Sequence, residues 1–286
     1  AQLSRGLGDV YKRQAINGTY PPGSIFKMVV AIELLERNLI DENWQVLCNG
    51  EYEFFESTHR CTGSHGYVNL NDAITMSCNI FFYEAVQKIR LDNLAKRSKD
   101  LFHGLPTGID LPNEMKGRVP DRAYMNKLYG TDGWSTGALL NISIGQGEVL
   151  VTPIQMIAYV NTIATSGNYN PIYIVKNEGG SAISTSISQS TWKKINYYMK
   201  NVIIDQNGTG RLSDPKISNL SIYGKTGTAE NPHGEPHAWF IGYSDNLKLK
   251  NSVVVLIENG GSGGKIASPF ARDIFRFLNN KNKEKS

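Results

Sequence analysis

Apolar positions fall into two regimes along the chain. From Ser24 to Arg37 they are almost continuous, and Lys27 alone interrupts the first two turns. Such a run reads as a helix buried on most of its circumference. The Asn-, Gly- and Pro-rich residues 15–23 before it read as a loop. Asn71 to Met76 reads as a short helix and Ile80 to Ile89 as a second, with Ser77-Cys78-Asn79 between them. Thr152-Pro153-Ile154-Gln155 is a helix start, with Thr as N-cap, Pro at the first position and Gln three after the cap. That helix is expected to run to about Thr165 and stop at Gly167, and another is expected from Thr191 to Ile203. In the last third the pattern turns to strands, over Ser221 to Thr228, His237 to Tyr243 and Ser252 to Ile257, with a turn at Asp245-Asn246. A helix from Ser268 to Leu278 follows. Residues 40–69 and 104–135 are expected to be irregular, and the Ser-rich 180–190 an exposed connection. Helices in the middle and antiparallel strands near the C-terminus predict an α+β fold.

Composition narrows the function classes. Of 286 residues, 40% are hydrophobic and 20% charged, which suits one large globular domain or two modest ones. The formal net charge of +4 comes without a basic stripe, so no nucleic-acid partner is expected. The densest basic stretch, Lys281 to Lys285, reads as a solvated end. No run approaches the ~18 apolar residues of a membrane span, and no secretory signal is visible. The glycines from Gly137 to Gly147 match neither a P-loop nor a dinucleotide fingerprint, and no G-x-S-x-G elbow occurs.

Three short elements carry chemistry. Ser24 and Lys27 lie three apart on one helical face, so an amine can reach a hydroxyl locally. Alone, this pair is a common pattern, and Lys27 could simply snorkel. Ser77-Cys78-Asn79 and then Lys225-Thr226-Gly227-Thr228 follow in order. The set S-x-x-K, S-x-N and K-T-G is that of penicillin-binding proteins and class A β-lactamases. In such a set Ser24 would be the nucleophile and Lys27, its pKa lowered by burial and nearby cations, would be the base. Ser77 would relay a proton between Lys27 and the leaving nitrogen, and Asn79 would hold Lys27 and a substrate amide. Lys225, Thr226 and Thr228 would bind a carboxylate, and Gly227 leaves room for a substrate backbone. The backbone N–H groups of Ser24 and Thr228 would form the oxyanion hole.

Cys48, Cys61, His65 and Cys78 form a further constellation, separated by twelve, three and twelve residues. Three thiolates and an imidazole suit tetrahedral zinc. A Cys48–Cys61 disulfide and free buried cysteines are equally open, and His59 competes as a ligand.

GTYPPGSIFKMV, HGYVNLNDAITMSCNIFFYE, TGIDLPNE, LLNISIGQGEVLVTPIQMIAYVNTIA and YGKTGTAENPHGEPHAWFIGY resemble the class B penicillin-binding proteins, most closely the elongation-specific penicillin-binding protein 2 branch. The likeness runs from about Ala15 to Phe277. It implies a penicillin-binding transpeptidase, serine β-lactamase-like fold: an antiparallel sheet flanked by helices plus a mainly helical region. It also implies a D,D-transpeptidase of peptidoglycan stem peptides, acylated by β-lactams at Ser24, with no catalytic cofactor. Lipid-linked nascent glycan strands, elongation-complex membrane proteins and a glycosyltransferase are the implied partners. The implied location is the outer side of a bacterial cytoplasmic membrane. Some relatives carry a structural zinc near the second motif, held partly by residues matching His65 and Cys78. Residues 1–14 do not resemble the family and are expected to be a foreign stub. Residues 15–286 are then the transpeptidase domain, without its first strands, pedestal and anchor. A D-Ala-D-Ala carboxypeptidase or β-lactamase-like hydrolase, and an inactive β-lactam-sensing domain, are the alternatives.

Overall fold

The computed structural model describes residues 14–131, 133–175, 181–246 and 250–283. The expected stub lies outside these residues except for Gln14. So do residues 247–249, just after the expected turn at Asp245-Asn246, and the end of the basic tail.

The helical part is organised around one buried helix. A short α1 (Gln14–Asn17) precedes a single 3₁₀ turn, Gly23–Ile25, and α2 (Lys27–Glu36) continues from it. The sequence predicts one helix from Ser24. The tighter turn replaces its first residues and lifts Ser24 off the helix proper. Every residue of α2 from Lys27 to Leu34 is buried. Its buried Glu33 is neutralised by Arg97, 3.0 Å away, and by Arg37. An unpaired carboxylate there would be strongly destabilising.

Residues 40–69, expected to be irregular, contain four short strands: β1 (Val46–Cys48), β2 (Glu51–Phe54), β3 (Ser57–Arg60) and β4 (Gly66–Val68). β1 pairs with β4 and β2 with β3, both antiparallel. Strands this short carry too little alternation to stand out from a loop. Next come α3 (Leu70–Thr75), α4 (Asn79–Val86) and α5 (Leu91–Asp100). Asn69 and Asp72 close a capping box on α3. The expected 104–135 loop is also corrected, because α6 (Arg122–Tyr129) lies inside it, capped by Asp121. After it come α7 (Thr136–Ser143) and α8 (Pro153–Ala164), the latter with the Thr152/Gln155 capping box read from sequence. The hairpin β5 (Asn168–Tyr169) and β6 (Ile183–Ser184) leads to α9 (Gln189–Ile204).

The last third is an antiparallel meander, β7 (Ser221–Ala229), β8 (His237–Asp245) and β9 (Lys250–Ile257), in that spatial order. Central β8 is buried from Ala238 to Ser244, as expected of a strand covered on both faces. α10 (Ser268–Lys283) covers one face, where Phe275 meets Phe240 edge-on at 6.2 Å. α8 and α9 cover the other, where the Tyr243 hydroxyl donates to Asn196 at 2.6 Å. β7 is thus an edge strand among the described residues, and the Gly23–Ile25 turn packs against it.

Candidate active site

Two glycines bring the first and third motifs together. Gly23 sits at φ +58°, and a Cβ there would lie 2.8 Å from the Thr228 carbonyl oxygen. A Cβ on Gly227 would lie 2.9 Å from the Pro22 carbonyl oxygen. Both contacts are too short for a side chain, so this close approach requires glycine on both sides. The Gly23 N–H also donates to the Gly145 carbonyl at 3.0 Å, which ties the turn to the loop after α7.

Ser77 reaches the site through an unusual helix end. The Cys78 N–H donates to Ala73 O at 2.9 Å and the Ser77 N–H to Ile74 O at 3.3 Å. These are the two bonds of a Schellman motif, whose left-handed residue is usually glycine. Here it is Ser77, at φ 60°. A non-glycine residue there is strained, as is common at functional sites.

The lysines converge on this serine. Lys27 Nζ donates to Ser77 O at 2.6 Å, to Asn79 Oδ1 at 2.7 Å and to Ser77 Oγ at 3.3 Å. Lys225 Nζ donates to the same Ser77 Oγ at 2.9 Å and to Thr226 O at 3.0 Å. Both lysines are fully buried, so the snorkelling reading of Lys27 is set aside. Burial pushes Lys27 down to about 8, although the nearby cysteines, Cys61 first, oppose the shift. Burial, and then the charge of Lys27, push Lys225 well below the ordinary lysine value. Asn79 completes the frame by donating its Nδ2 to Arg60 O at 3.0 Å.

Ser24 is half-buried and opens on a cleft of about 810 Å³ that also exposes Ser77, Asn79, Thr226 and Thr228. The structure therefore gathers Ser24, Lys27, Ser77, Asn79, Lys225, Thr226, Gly227 and Thr228 at one place. Thr228 Oγ1 accepts from the Gly263 N–H at 3.2 Å and keeps its own proton to donate. Thr226 is paired with Thr209 at 2.7 Å, a partner that sequence reasoning missed. Thr209 sits in a Gly-Thr-Gly stretch with no motif character. Ile144 and Gln146, also missed, line the cleft beside Gly145. A larger surface cavity of about 940 Å³, between residues 35–44 and α9, contains no motif residue.

The candidate metal ligands meet directly behind the second motif. All three cysteines are free, so the Cys48–Cys61 disulfide considered from sequence is not formed. The ligand atoms of Cys48, Cys61, His65 and Cys78 all lie within 4.8 Å of one another. His65 Nδ1 lies 3.4 Å from Cys48 Sγ and 3.6 Å from Cys61 Sγ, and the Cys61 and Cys78 sulfurs are 3.9 Å apart. Tetrahedral zinc with ordinary bond lengths places such atoms about 3.5–3.8 Å apart, so the residues fit a structural metal. His59 is not among them, since its ring packs on Tyr83. A hydrogen bond shared with Cys78, and the Asn79 N–H at 3.1 Å, push the Cys61 thiol down toward the thiolate that a metal needs.

Fold and site geometry together define a domain of the penicillin-binding, serine β-lactamase-like α+β class. The penicillin binding protein transpeptidase domain family matches residues 3–276, and the chain belongs to that family. It is 31% identical over 304 residues to the peptidoglycan D,D-transpeptidase MrdA of Haemophilus influenzae, covering 95% of this chain and 46% of that protein. The structure is similar to that of Helicobacter pylori penicillin-binding protein 2 in complex with MreC, with TM-score 0.83, 29% identity, and coverage of 92% of this chain and 51% of that one. It is also similar to the ceftriaxone acyl-enzyme of penicillin-binding protein A from Mycobacterium tuberculosis, with TM-score 0.73, 25% identity, and coverage of 92% of this chain and 61% of that one. The chain thus spans about half the length of the curated relatives it matches.

Proposed function

We propose that this chain is the catalytic domain of a peptidoglycan D,D-transpeptidase acting in cell elongation. One observation carries the reading: Lys27 and Lys225 meet on Ser77 Oγ, joining all three motifs in one hydrogen-bonded network beside Ser24. With a pKa near 8, Lys27 has a neutral fraction at physiological pH. A neutral amine keeps two N–H donors for its two shortest bonds, to Ser77 O and Asn79 Oδ1. Its lone pair then takes the Ser24 proton as Oγ attacks the penultimate D-Ala carbonyl. The N–H groups of Ser24 and Thr228 hold the oxyanion. Ser77 passes the proton on to the departing D-Ala nitrogen. An acceptor amine then attacks the ester on Ser24, forms the cross-link and restores the serine. Lys225, Thr226 and Thr228 bind the terminal carboxylate of the donor.

Hydrolysis would need a base for water at the ester, and among the described residues no carboxylate joins the Lys27–Ser77–Lys225 network. This favours transfer over the carboxypeptidase or β-lactamase-like alternative. The paired, pKa-depressed lysines favour an active enzyme over an inert sensor. A structural metal held by Cys48, Cys61, His65 and Cys78 would fix the 46–68 strands to the second motif and supply no reaction chemistry. Lipid-linked glycan strands, a glycosyltransferase and elongation-complex membrane proteins are the proposed partners, at the outer side of a bacterial cytoplasmic membrane. Supporting this is the similarity to a penicillin-binding protein 2 that binds MreC. Among the described residues, no helix is long and apolar enough to cross a membrane. Labelling with a fluorescent penicillin tests the proposal. Wild type should label and Ser24→Ala should not, whereas equal labelling of both would overturn it.

A further inference from the structure

The sulfur cluster behind the second motif is also built to be oxidised. Cys48 and Cys78 are buried, whereas Cys61 is partly exposed on the loop joining β3 to β4. The next residue, Thr62, lines the cleft that holds Ser24. A small oxidant therefore meets Cys61 first. Cys61 Sγ accepts the Asn79 N–H at 3.1 Å, at the first residue of α4, where the cap residue Cys78 makes no side-chain bond of its own. A helix start favours a negative, nucleophilic sulfur. The Cys78 sulfur lies 3.9 Å from it.

Joining these sulfurs disturbs the catalytic frame. A disulfide holds its sulfurs ~2.05 Å apart, so the gap has to close by about 1.9 Å. Cys78 is buried, and its N–H is bonded to Ala73 O at 2.9 Å, so most of the movement falls to Cys61. Two hydrogen bonds support Asn79 from that side. Its backbone N–H donates to Cys61 Sγ, and its Nδ2 donates to the carbonyl of the neighbouring Arg60 at 3.0 Å. Asn79 Oδ1 in turn accepts from Lys27 Nζ at 2.7 Å. A shift of Cys61 toward Cys78 thus loosens both supports of the amide that positions the lysine.

We propose that Cys61 is a peroxide-sensitive modification site that joins Cys78 in a reversible disulfide and so slows acylation of Ser24. The Cys61 sulfur attacks one oxygen of a peroxide, the O–O bond breaks, and a sulfenic acid and one water result. The Cys78 sulfur then attacks the Cys61 sulfur, the S–S bond forms and a second water leaves. Two thiols lose two electrons and two protons, and hydrogen peroxide takes up both. The disulfide withdraws two donors from the set Cys48, Cys61, His65 and Cys78, so a metal held there would leave. The disulfide is independent of the transpeptidase reading, whereas its effect on acylation rests on that reading.

The test treats the purified full chain, with whatever metal it carries, with a slight excess of hydrogen peroxide. Peptide mapping without reductant should find Cys61 linked to Cys78. A metal-sensitive dye should register release of bound zinc, and benzylpenicillin acylation should slow on the order of tenfold. Dithiothreitol with added zinc should reverse all three changes, which it would not do for oxidised methionine. Cys61→Asp keeps an oxygen donor for zinc and has no thiol, so its acylation should not respond to peroxide. Cys61 ending as a sulfinic acid, a linkage that leaves acylation unchanged, a loss that dithiothreitol does not repair, or a peroxide-sensitive Cys61→Asp would overturn the inference. Failure of benzylpenicillin to acylate the untreated protein would instead overturn the transpeptidase reading, and the mapped linkage would still decide whether the disulfide forms.

Discussion

Ser77 and Asn79 turn toward two buried lysines, while Cys78 between them turns toward two cysteines and a histidine. One side of this tripeptide is a proton network in which every heavy-atom pair is bridged by hydrogen. The other is a cluster of soft donors spaced for an ion. The two sides rest on opposite electrostatics: burial lowers the lysine pKa values by penalising their charge, whereas a hydrogen bond with Cys78, and then backbone N–H groups, lower that of Cys61 by stabilising its thiolate. The comparison teaches that the second motif is anchored from behind. Asn79 links the two sides, since its side chain accepts from Lys27 and its backbone N–H donates to Cys61.

That comparison breaks most sharply at the network. Lys27→Ala should lower β-lactam acylation by roughly 10²–10⁴, the range for loss of a general base. Stopped-flow acylation kinetics read this, and a loss below tenfold would remove Lys27 from the role of base. On the anchoring side, purified protein should contain close to one zinc per chain by metal analysis. Cys61→Ser should lower both zinc content and acylation, the latter on the order of tenfold, through disordered positioning. Metal-free wild type with full activity would separate the two sides altogether. The wild-type pH profile sharpens the contrast further. In the proposed role Lys27 acts deprotonated, and burial lowers its pKa to about 8, so acylation should rise about tenfold per pH unit below that value and level off above it. A flat profile from pH 6 to 8 would contradict a lysine base. The smallest effect should come from Asn69→Ala, which removes the cap of the helix leading into Ser77. It should cost about 1 kcal/mol, seen as a fall of ~2–4 °C in Tm.

The catalytic side was far more legible in sequence than the anchoring side. Lys27, Ser77 and Lys225 belong to short motifs whose order survives any loop length, so they can be recognised without knowing the fold. The long strands of the final meander also carried their own pattern, and Thr152 with Gln155 marked a helix start that the structure reproduces. By contrast, β1 to β4 are three or four residues each, too short for a period to register. The left-handed Ser77 could not be foreseen, because a Schellman end normally advertises itself with glycine. Gln146 and Thr209 belong to no motif, and only the folded cleft brings them beside Ser24.

Peptide mapping after β-lactam treatment tests the central claim most directly. The account predicts one covalent adduct, on the peptide containing Ser24, absent from both Ser24→Ala and Lys27→Ala on the same timescale. An adduct on another residue, or one that forms as fast without Lys27, would contradict it.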